Sequence, residues 1–207
     1  MAGKRFGIVV LITVAMLTVS AAAQKNEVAG SIGRFFIADQ GVPGTGLADS
    51  NIHFGDALTY ELNYGRRFMD IGVASLTVEV PFVFSFNQGV HFQVNDVPKN
   101  FNSYFVTPSA RVNLFPTTGF SPWISAGGGF GHFSENSTLE YGGTNPGATG
   151  TTTGVFQAGI GLDVRLLRSV KLRGEIRDFY SGTPQLNINT QDKQHNLFAG
   201  IGLSWSF

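Results

Sequence analysis

The chain has 207 residues, with 14 Lys plus Arg against 14 Asp plus Glu and a formal net charge of zero, so it offers no basic field for nucleic acid. Cysteine is absent, which excludes disulfides and thiolate metal sites. Only 14% of residues are charged while Gly (27) and Phe (19) are abundant, whereas a soluble domain carries charge on about a quarter of its residues.

The first 23 residues read as a secretory leader. Lys4 and Arg5 precede an apolar run over residues 6–19, and Ala21, Ala22 and Ala23 form a small-residue site that predicts cleavage after Ala23. An anchor helix is the alternative, but the run falls short of the roughly 20 residues that a span needs. Cleavage leaves one domain, residues 24–207, with 12 basic against 14 acidic residues and a charge near −2. No later stretch is apolar enough for a helical span. A membrane chain without such spans must close into a barrel, because hydrocarbon cannot satisfy an open sheet edge.

From residue 24 onward, segments of alternating polarity recur. The first predicted strand, residues 28–37, has an ambiguous parity. Placing Ala29, Phe35 and Ile37 toward lipid turns Arg34 inward and avoids an exposed mid-bilayer arginine, which would cost about 2–4 kcal/mol. A Gly/Pro/Asp-rich connection, residues 38–56, leads to a strand over 57–65 with Leu58, Tyr60, Leu62 and Tyr64 outward and Thr59, Glu61 and Asn63 inward. Residues 66–70 form a predicted tight turn. The third strand, 71–86, puts Leu76, Val78, Val80, Phe82 and Phe84 outward, opposite Ser75, Thr77, Glu79 and Ser85. Pro81 shares the inner parity and, lacking a donor, predicts a bulge or bend.

After a polar connection, residues 104–114 form the fourth strand, with Thr107, Ser109, Arg111 and Asn113 inward. A short link over 115–122 precedes the fifth, 123–133, where Ile124, Ala126, Phe130 and His132 face lipid and Ser125, Gly127, Gly129 and Gly131 face in. A long Ser/Thr/Asn/Gly loop follows. The sixth strand, 152–166, turns Gln157, Gly159, Gly161, Asp163 and Arg165 inward. The seventh, 170–180, does the same with Lys171, Arg173, Glu175 and Arg177. A last long loop returns to the closing strand, 195–207. There Leu197, Ala199, Ile201, Leu203, Trp205 and Phe207 share one face, and Asn196, Gly200, Gly202, Ser204 and Ser206 share the other.

These segments predict an all-β fold, an eight-stranded antiparallel up-and-down transmembrane barrel with three short turns and four long loops. Short periplasmic turns, long extracellular loops and an even strand number fit a bacterial outer-membrane barrel. The closing strand, ending in Phe207 with Trp205 two residues earlier and Leu203 before it, resembles the C-terminal assembly signal of such proteins. On the alternation, this strand and the loop asymmetry, the chain resembles the small eight-stranded barrels of the OmpA/OmpX type, without a peptidoglycan-binding domain after Phe207. The resemblance implies a bacterial outer-membrane location, contact with outer-membrane lipid and lipopolysaccharide, and recognition of the last strand by the barrel assembly machinery. It also implies a monomer.

The inward charges form an expected interior network of Arg34, Glu61, Glu79, Arg111, Asp163, Arg165, Lys171, Arg173, Glu175 and Arg177. Eight strands leave a lumen just wide enough for side chains to fill, so the mixed signs point to a paired polar core rather than an aqueous channel. The neighbouring glycines of the fifth and sixth strands leave room for the guanidinium groups.

One pair hints at catalysis. His132 and Ser134, spaced by two, share a face at the outer end of the fifth strand, an arrangement similar to that of barrel-type lipid A deacylases. Here Glu135 stands where that motif has Asn, and Glu135 and Glu140 are the nearby acids. An interfacial His beside a loop Ser explains the pair more simply. Gly127 to Gly131 is no phosphate loop, because no Lys-Ser/Thr follows it. His53, His91, His132 and His195 are scattered without metal-ligand spacing, and no cofactor is expected. The expected role is non-enzymatic: a structural or surface-interaction protein whose loops could bind an extracellular ligand. A lipid A hydrolase and a narrow gated pore are the alternatives.

Overall fold

The computed structural model describes residues 25–190 and 193–207, so the leader expected over residues 1–23 lies outside the described residues. Its strands are β1 (Asn26–Ile37), β2 (Gln40–Gly41), β3 (Asn51–Phe54), β4 (Ala57–Asp70), β5 (Ala74–His91), β6 (Asn100–Val106), β7 (Ser109–Leu114), β8 (Phe120–Glu135), β9 (Thr151–Arg165), β10 (Val170–Gly182) and β11 (Lys193–Ser206). No helix among the described residues is long and apolar enough to cross a membrane.

Eight antiparallel walls close a ring, β1–β4–β5–(β6 and β7)–β8–β9–β10–β11–β1. The seam runs from Glu27↔Ser206 to Ile37↔Asn196. At its end Asn26 and Phe207 exchange backbone hydrogen bonds of 3.1 and 2.9 Å, so the last residue completes the cylinder. Closure leaves no unpaired edge within the ring, the condition for placing strands in hydrocarbon. The three turns lie at the end that holds Lys25 and Phe207. The four long loops lie at the other, where β2 and β3 form a small hairpin that adds to the extended end of β5 through His53↔His91.

Parity decides which side chains meet lipid. Val28, Ile32, Leu62, Val80, Ile124, Ile160, Ile201, Leu203 and Trp205 are exposed, while Glu61, Glu79, Arg111, Arg173 and Arg177 are buried. The exposed set forms an apolar belt around the barrel.

The first strand departs from the sequence expectation. Glu27, Ala29, Ser31 and Phe35 are buried and face the lumen, whereas Val28, Ile32, Arg34 and Phe36 face out. Arg34 is therefore not an interior residue. It sits near the loop end of β1, paired with Asp56 just before β4, and both side chains are about half exposed. At that height the charge reaches headgroups and water, and the penalty of a mid-bilayer arginine fades toward zero.

Other boundaries shift as well. β4 runs on through residues 66–70, which were expected to turn; the chain reverses at residues 71–73, with Gly72 at φ 78°. Pro81 causes no bulge in β5. The irregularity falls on the facing wall, where β6 and β7 are separated by Thr107 and Pro108. Pro108 has no N–H to give a neighbour, and Thr107 N donates to Pro81 O at 3.3 Å. β8 closes against this break, so a Cβ on Gly127 would lie 2.2 Å from Pro108 O and one on Gly129 1.9 Å from Val106 O. These glycines admit backbone. The register shifts of β5 lie elsewhere, opposite Arg67/Met69 and at Ser85/Gln88 beside Asn87, whose φ is 56°.

The interior has two storeys. The turn-end half is charged. The loop-end half is an aromatic core of Phe35, Phe101, Phe105, Phe133, Phe179 and Phe198, joined by Val83 and Val155 and by Val42, Ile52, Phe92, Val97 and Leu186. Phe105 stacks on Phe179 at 5.1 Å, and Phe35 meets Phe105, Phe179 and Phe198 edge-on at 5.6 to 6.0 Å. Such pairs each add about 0.5–1.5 kcal/mol beyond area burial.

The orientation of the closing strand gives a direct test. Ile201→Arg, near the middle of β11 and facing out, is expected to destabilise the refolded barrel by about 2–4 kcal/mol in a urea titration in bilayers. A much smaller change would mean that this face does not meet hydrocarbon.

Candidate functional site: the charged lumen and the loop end

Strand alternation delivers one long inward side chain every second residue from β1, β4, β5, β7, β9 and β10, and the turn-end half of the lumen collects them. Arg177, on β10, is surrounded by three acids: Nη1 lies 2.8 Å from Glu79 Oε1, and Nε lies 3.0 Å from Glu175 Oε2 and 3.2 Å from Glu61 Oε2. Nε carries one hydrogen, which goes to Glu175, so Glu61 receives no hydrogen bond from Arg177. Glu61 Oε1 accepts instead from Asn63 at 3.3 Å, and Asn63 also donates to Glu79 at 3.0 Å.

Toward the turns, Arg173 forks onto Asp163 at 2.8 and 2.9 Å and reaches Glu27 at 2.7 Å. Arg111 reaches the same Glu27 oxygen at 2.7 Å and stands 3.0 Å from Glu79, linking the two clusters. Lys171 closes the floor on Glu27 at 3.0 Å. Ser31 adds a hydrogen bond to Glu175 at 2.5 Å, and Gln157 ties Ser109 to Ser125.

Trp123 stands at the centre. Its ring centroid lies 5.5, 5.4 and 5.0 Å from the guanidinium carbons of Arg111, Arg173 and Arg177, and its Nε1 donates to Asp163 at 3.3 Å. The π face accepts partial positive charge where no further carboxylate fits, an attraction of up to about 2 kcal/mol when dry. Gly161 makes room for the indole, since a Cβ there would lie 2.3 Å from Trp123 Cζ2. Among the inward glycines of β8 and β9, Gly159 lies beside an arginine side chain, since a Cβ there would lie 3.1 Å from Arg177 Cγ, whereas Gly131 borders Phe105.

The structure thus brings Glu61, Glu79, Arg111, Asp163, Lys171, Arg173, Glu175 and Arg177 into one network. Arg34 lies outside the barrel. Arg165 keeps the inward parity but is exposed at the turn-end rim, where it donates to Pro116 O at 3.2 Å. Two members escaped the sequence reading. Glu27 fell one residue before the predicted first strand and on the parity assigned to the other face; Trp123 shares its parity with Ser125 but has the bulk of a girdle residue. The inner face of β1, with Glu27, Ala29, Ser31 and Gly33 small or polar, carries the signal that places Glu27.

His132 faces out, as its parity requires, and its Nδ1 lies 2.9 Å from Thr152 Oγ1 while the ring stacks on Tyr104. Glu135 points into the barrel, where it accepts from Gln185 N at 2.8 Å, and Glu140 is bonded to His91 at 2.9 Å. Neither carboxylate reaches His132. At the C-terminus Leu203 and Trp205 are exposed outward, and Trp205 packs on Phe207 with ring centroids 5.1 Å apart. Among the described residues no group of three or more His, Asp or Glu could hold a metal.

At the loop end His53 is clamped, Nδ1 to Asp39 at 2.7 Å and Nε2 to Asp49 at 2.8 Å. The hydrogen bonds to Asp49 and then Asp39 favour the imidazolium and raise the His53 pKa above its usual value near 6.5; the same bond holds Asp49 below the usual carboxylate range.

No protein-family model matches the sequence, and no curated protein does. Solved structures do. Neisserial surface protein A is similar over 91% of this chain and all of its own, with a TM-score of 0.55 at 13% identity. The outer-membrane protein OprG of Pseudomonas aeruginosa is similar over 89% of this chain and 96% of its own, with a TM-score of 0.53 at 10% identity. The N-terminal β-barrel domain of OprF from the same organism aligns over 90% of this chain and all of that domain, at a TM-score of 0.50 and 14% identity.

Two outcomes test this geometry. Glu79→Ala leaves Arg177 and Arg111 short of a counter-charge in a dry lumen and is expected to lower stability by about 3–5 kcal/mol, read from urea unfolding. The His53 clamp contributes fully below the unfolded pKa of about 6.5 and is lost as pH rises through its higher folded value. Nuclear magnetic resonance order parameters of residues 40–54 should therefore fall on alkaline titration, and His53→Ala should abolish that step.

The closed eight-stranded ring, the outward apolar belt and the shared architecture give this chain the fold of the small outer-membrane β-barrels that it is similar to.

Proposed function

We propose that this outer-membrane barrel is non-enzymatic and monomeric, that it contributes to envelope integrity, and that it presents its loop end outside the cell as a binding surface. The observation that carries this reading is the filled interior. Trp123, Arg173 and Arg177 in the lower storey and Phe35, Phe105, Phe133, Phe179 and Phe198 in the upper are all fully buried, so side chains occupy the section where a solute would pass. An opposite-sign network with aromatic packing above it suits a rigid post in the membrane.

The loops are fixed to that post. Glu140 takes both His91 and the backbone N of Phe92, Tyr141 donates its hydroxyl to Phe92 O at 2.9 Å, and Asn187 reaches Asp96 O. Loops held against a rigid scaffold are where binding residues concentrate, and an extracellular ligand at this end is part of the proposal. Outer-membrane lipid and lipopolysaccharide would meet the apolar belt. The assembly machinery would read Leu203, Trp205 and Phe207 on β11.

A hydrolase reading needs His132 to activate Ser134, and the Thr152 partner of His132 supplies no carboxylate to orient it. Expression of the wild type and of His132→Ala or Ser134→Ala should give the same lipid A mass spectrum; a trimmed species seen only with the wild type would establish the enzyme instead. In planar bilayers the protein should be silent. Discrete conductance altered by Arg111→Ala or Glu79→Ala would replace the structural reading with a pore.

A further inference from the structure

Charge is divided along the barrel axis. At the loop end Asp39, Asp49, Asp56, Asp96 and Asp178 outnumber Arg34, Lys99 and Lys193 among the described residues. The turn end is the reverse. A cleft of about 440 Å³ opens there, lined by Lys25, Arg67, Arg165, Arg168 and Lys171, with Asp70 the one carboxylate among its described lining residues.

Counter-charge from within is exhausted. The cleft leads inward to Glu27, which already faces Arg111, Arg173 and Lys171, and Asp163 is committed to Arg173. Asp70 stands 3.5 Å from Arg67 with both side chains at least 30% exposed, a weak pair. Arg165 has only the carbonyl of Pro116, and Lys25 and Arg168 have no anionic partner among the described residues. Such a concentration of like charge in a concave site raises the local concentration of anions.

We propose that this turn-end vestibule binds a phosphate ester. Guanidinium forks match phosphate oxygens in pairs, which favours phosphate over a simple halide. Phe68, Met69 and Pro116 give the wall an apolar part, beside Thr117 and Ser206, so the ligand carries an uncharged portion beside its anionic group. The Glu27 floor makes the vestibule a dead end, and the ligand arrives and leaves from the turn side. Two sources offer this chemistry there, the headgroup of an inner-leaflet phospholipid and a soluble phosphate ester.

The test uses the full chain refolded into phosphatidylcholine nanodiscs. Glycerol 3-phosphate is titrated calorimetrically, and in parallel nanodiscs containing phosphatidylglycerol are examined by native mass spectrometry for retained lipid. Arg165→Gln with Arg168→Gln should weaken binding by roughly tenfold or more, the worth of one to two charge-assisted hydrogen bonds, while Lys99→Gln with Lys193→Gln at the loop end should not. Unchanged heat-dependent electrophoretic mobility of both variants separates lost binding from lost folding. Saturable glycerol 3-phosphate binding that the turn-end variant loses supports the site with a soluble ligand. Retention of phosphatidylglycerol alone, lost in the same variant, supports it with a lipid ligand. Absence of both, or binding that both variants keep or both lose, overturns it.

Discussion

Pairing of charges that have left water is the constraint on which this barrel depends. Placing a guanidinium in a dry lumen costs several kcal/mol, and mutual attraction offsets it only when geometry and hydrogen bonding are good. Arg173 meets the requirement with a fork on Asp163 and a further contact on Glu27, and Arg177 with three carboxylates from three strands. These partners come from β1, β4, β5, β9 and β10. A slip of one residue in any of those strands would turn its charges to lipid and its leucines inward. The network therefore specifies register around most of the ring, which backbone hydrogen bonds alone cannot do.

The aromatic storey solves the same filling problem with different chemistry. Near the loops the lumen is closed by Phe105, Phe179 and Phe35, whose edge and face contacts fix ring positions without any charge to neutralise. Val42, Ile52, Phe92 and Leu186 extend this core into the loops. Loop order is thus a consequence of packing, and the loops inherit their rigidity from the barrel.

Much of this was legible in the sequence because a barrel wall reads one residue at a time. Leu58, Tyr60, Leu62 and Tyr64 against Thr59, Glu61 and Asn63 leave one assignment, and β4 has it. The first strand failed for an identifiable reason. Apolar residues occur on both faces of β1, because its inner face crosses from the charged storey at Glu27 to the aromatic storey at Phe35. With polarity uninformative, only the depth of Arg34 separates the two parities, and the sequence does not show that Arg34 sits at the rim beside Asp56, where the cost of an outward arginine is small. The same mixture hides part of the aromatic core: Phe105 and Phe198 lie between outward neighbours, Tyr104, Val106, Leu197 and Ala199, that are themselves apolar or aromatic. The gap at Thr107 and Pro108 was obscured differently, since inward parity continues from Thr107 to Ser109 across it.

The inner face of β1 sets the sign balance of the lumen and accounts for the rim. With Glu27 inside and Arg34 and Arg165 outside the network, five acids, Glu27, Glu61, Glu79, Asp163 and Glu175, face four bases, Arg111, Lys171, Arg173 and Arg177. Three acids, Glu61, Glu79 and Glu175, converge around Arg177, away from the turns. Near the turns the order reverses, with Glu27 shared among three cations. Positive charge left over at that level continues outward into Lys25, Arg165 and Arg168, so the basic vestibule is the exposed end of a gradient that begins inside the barrel. Any anion bound there would complete at the rim the same pairing that the carboxylates complete in the interior.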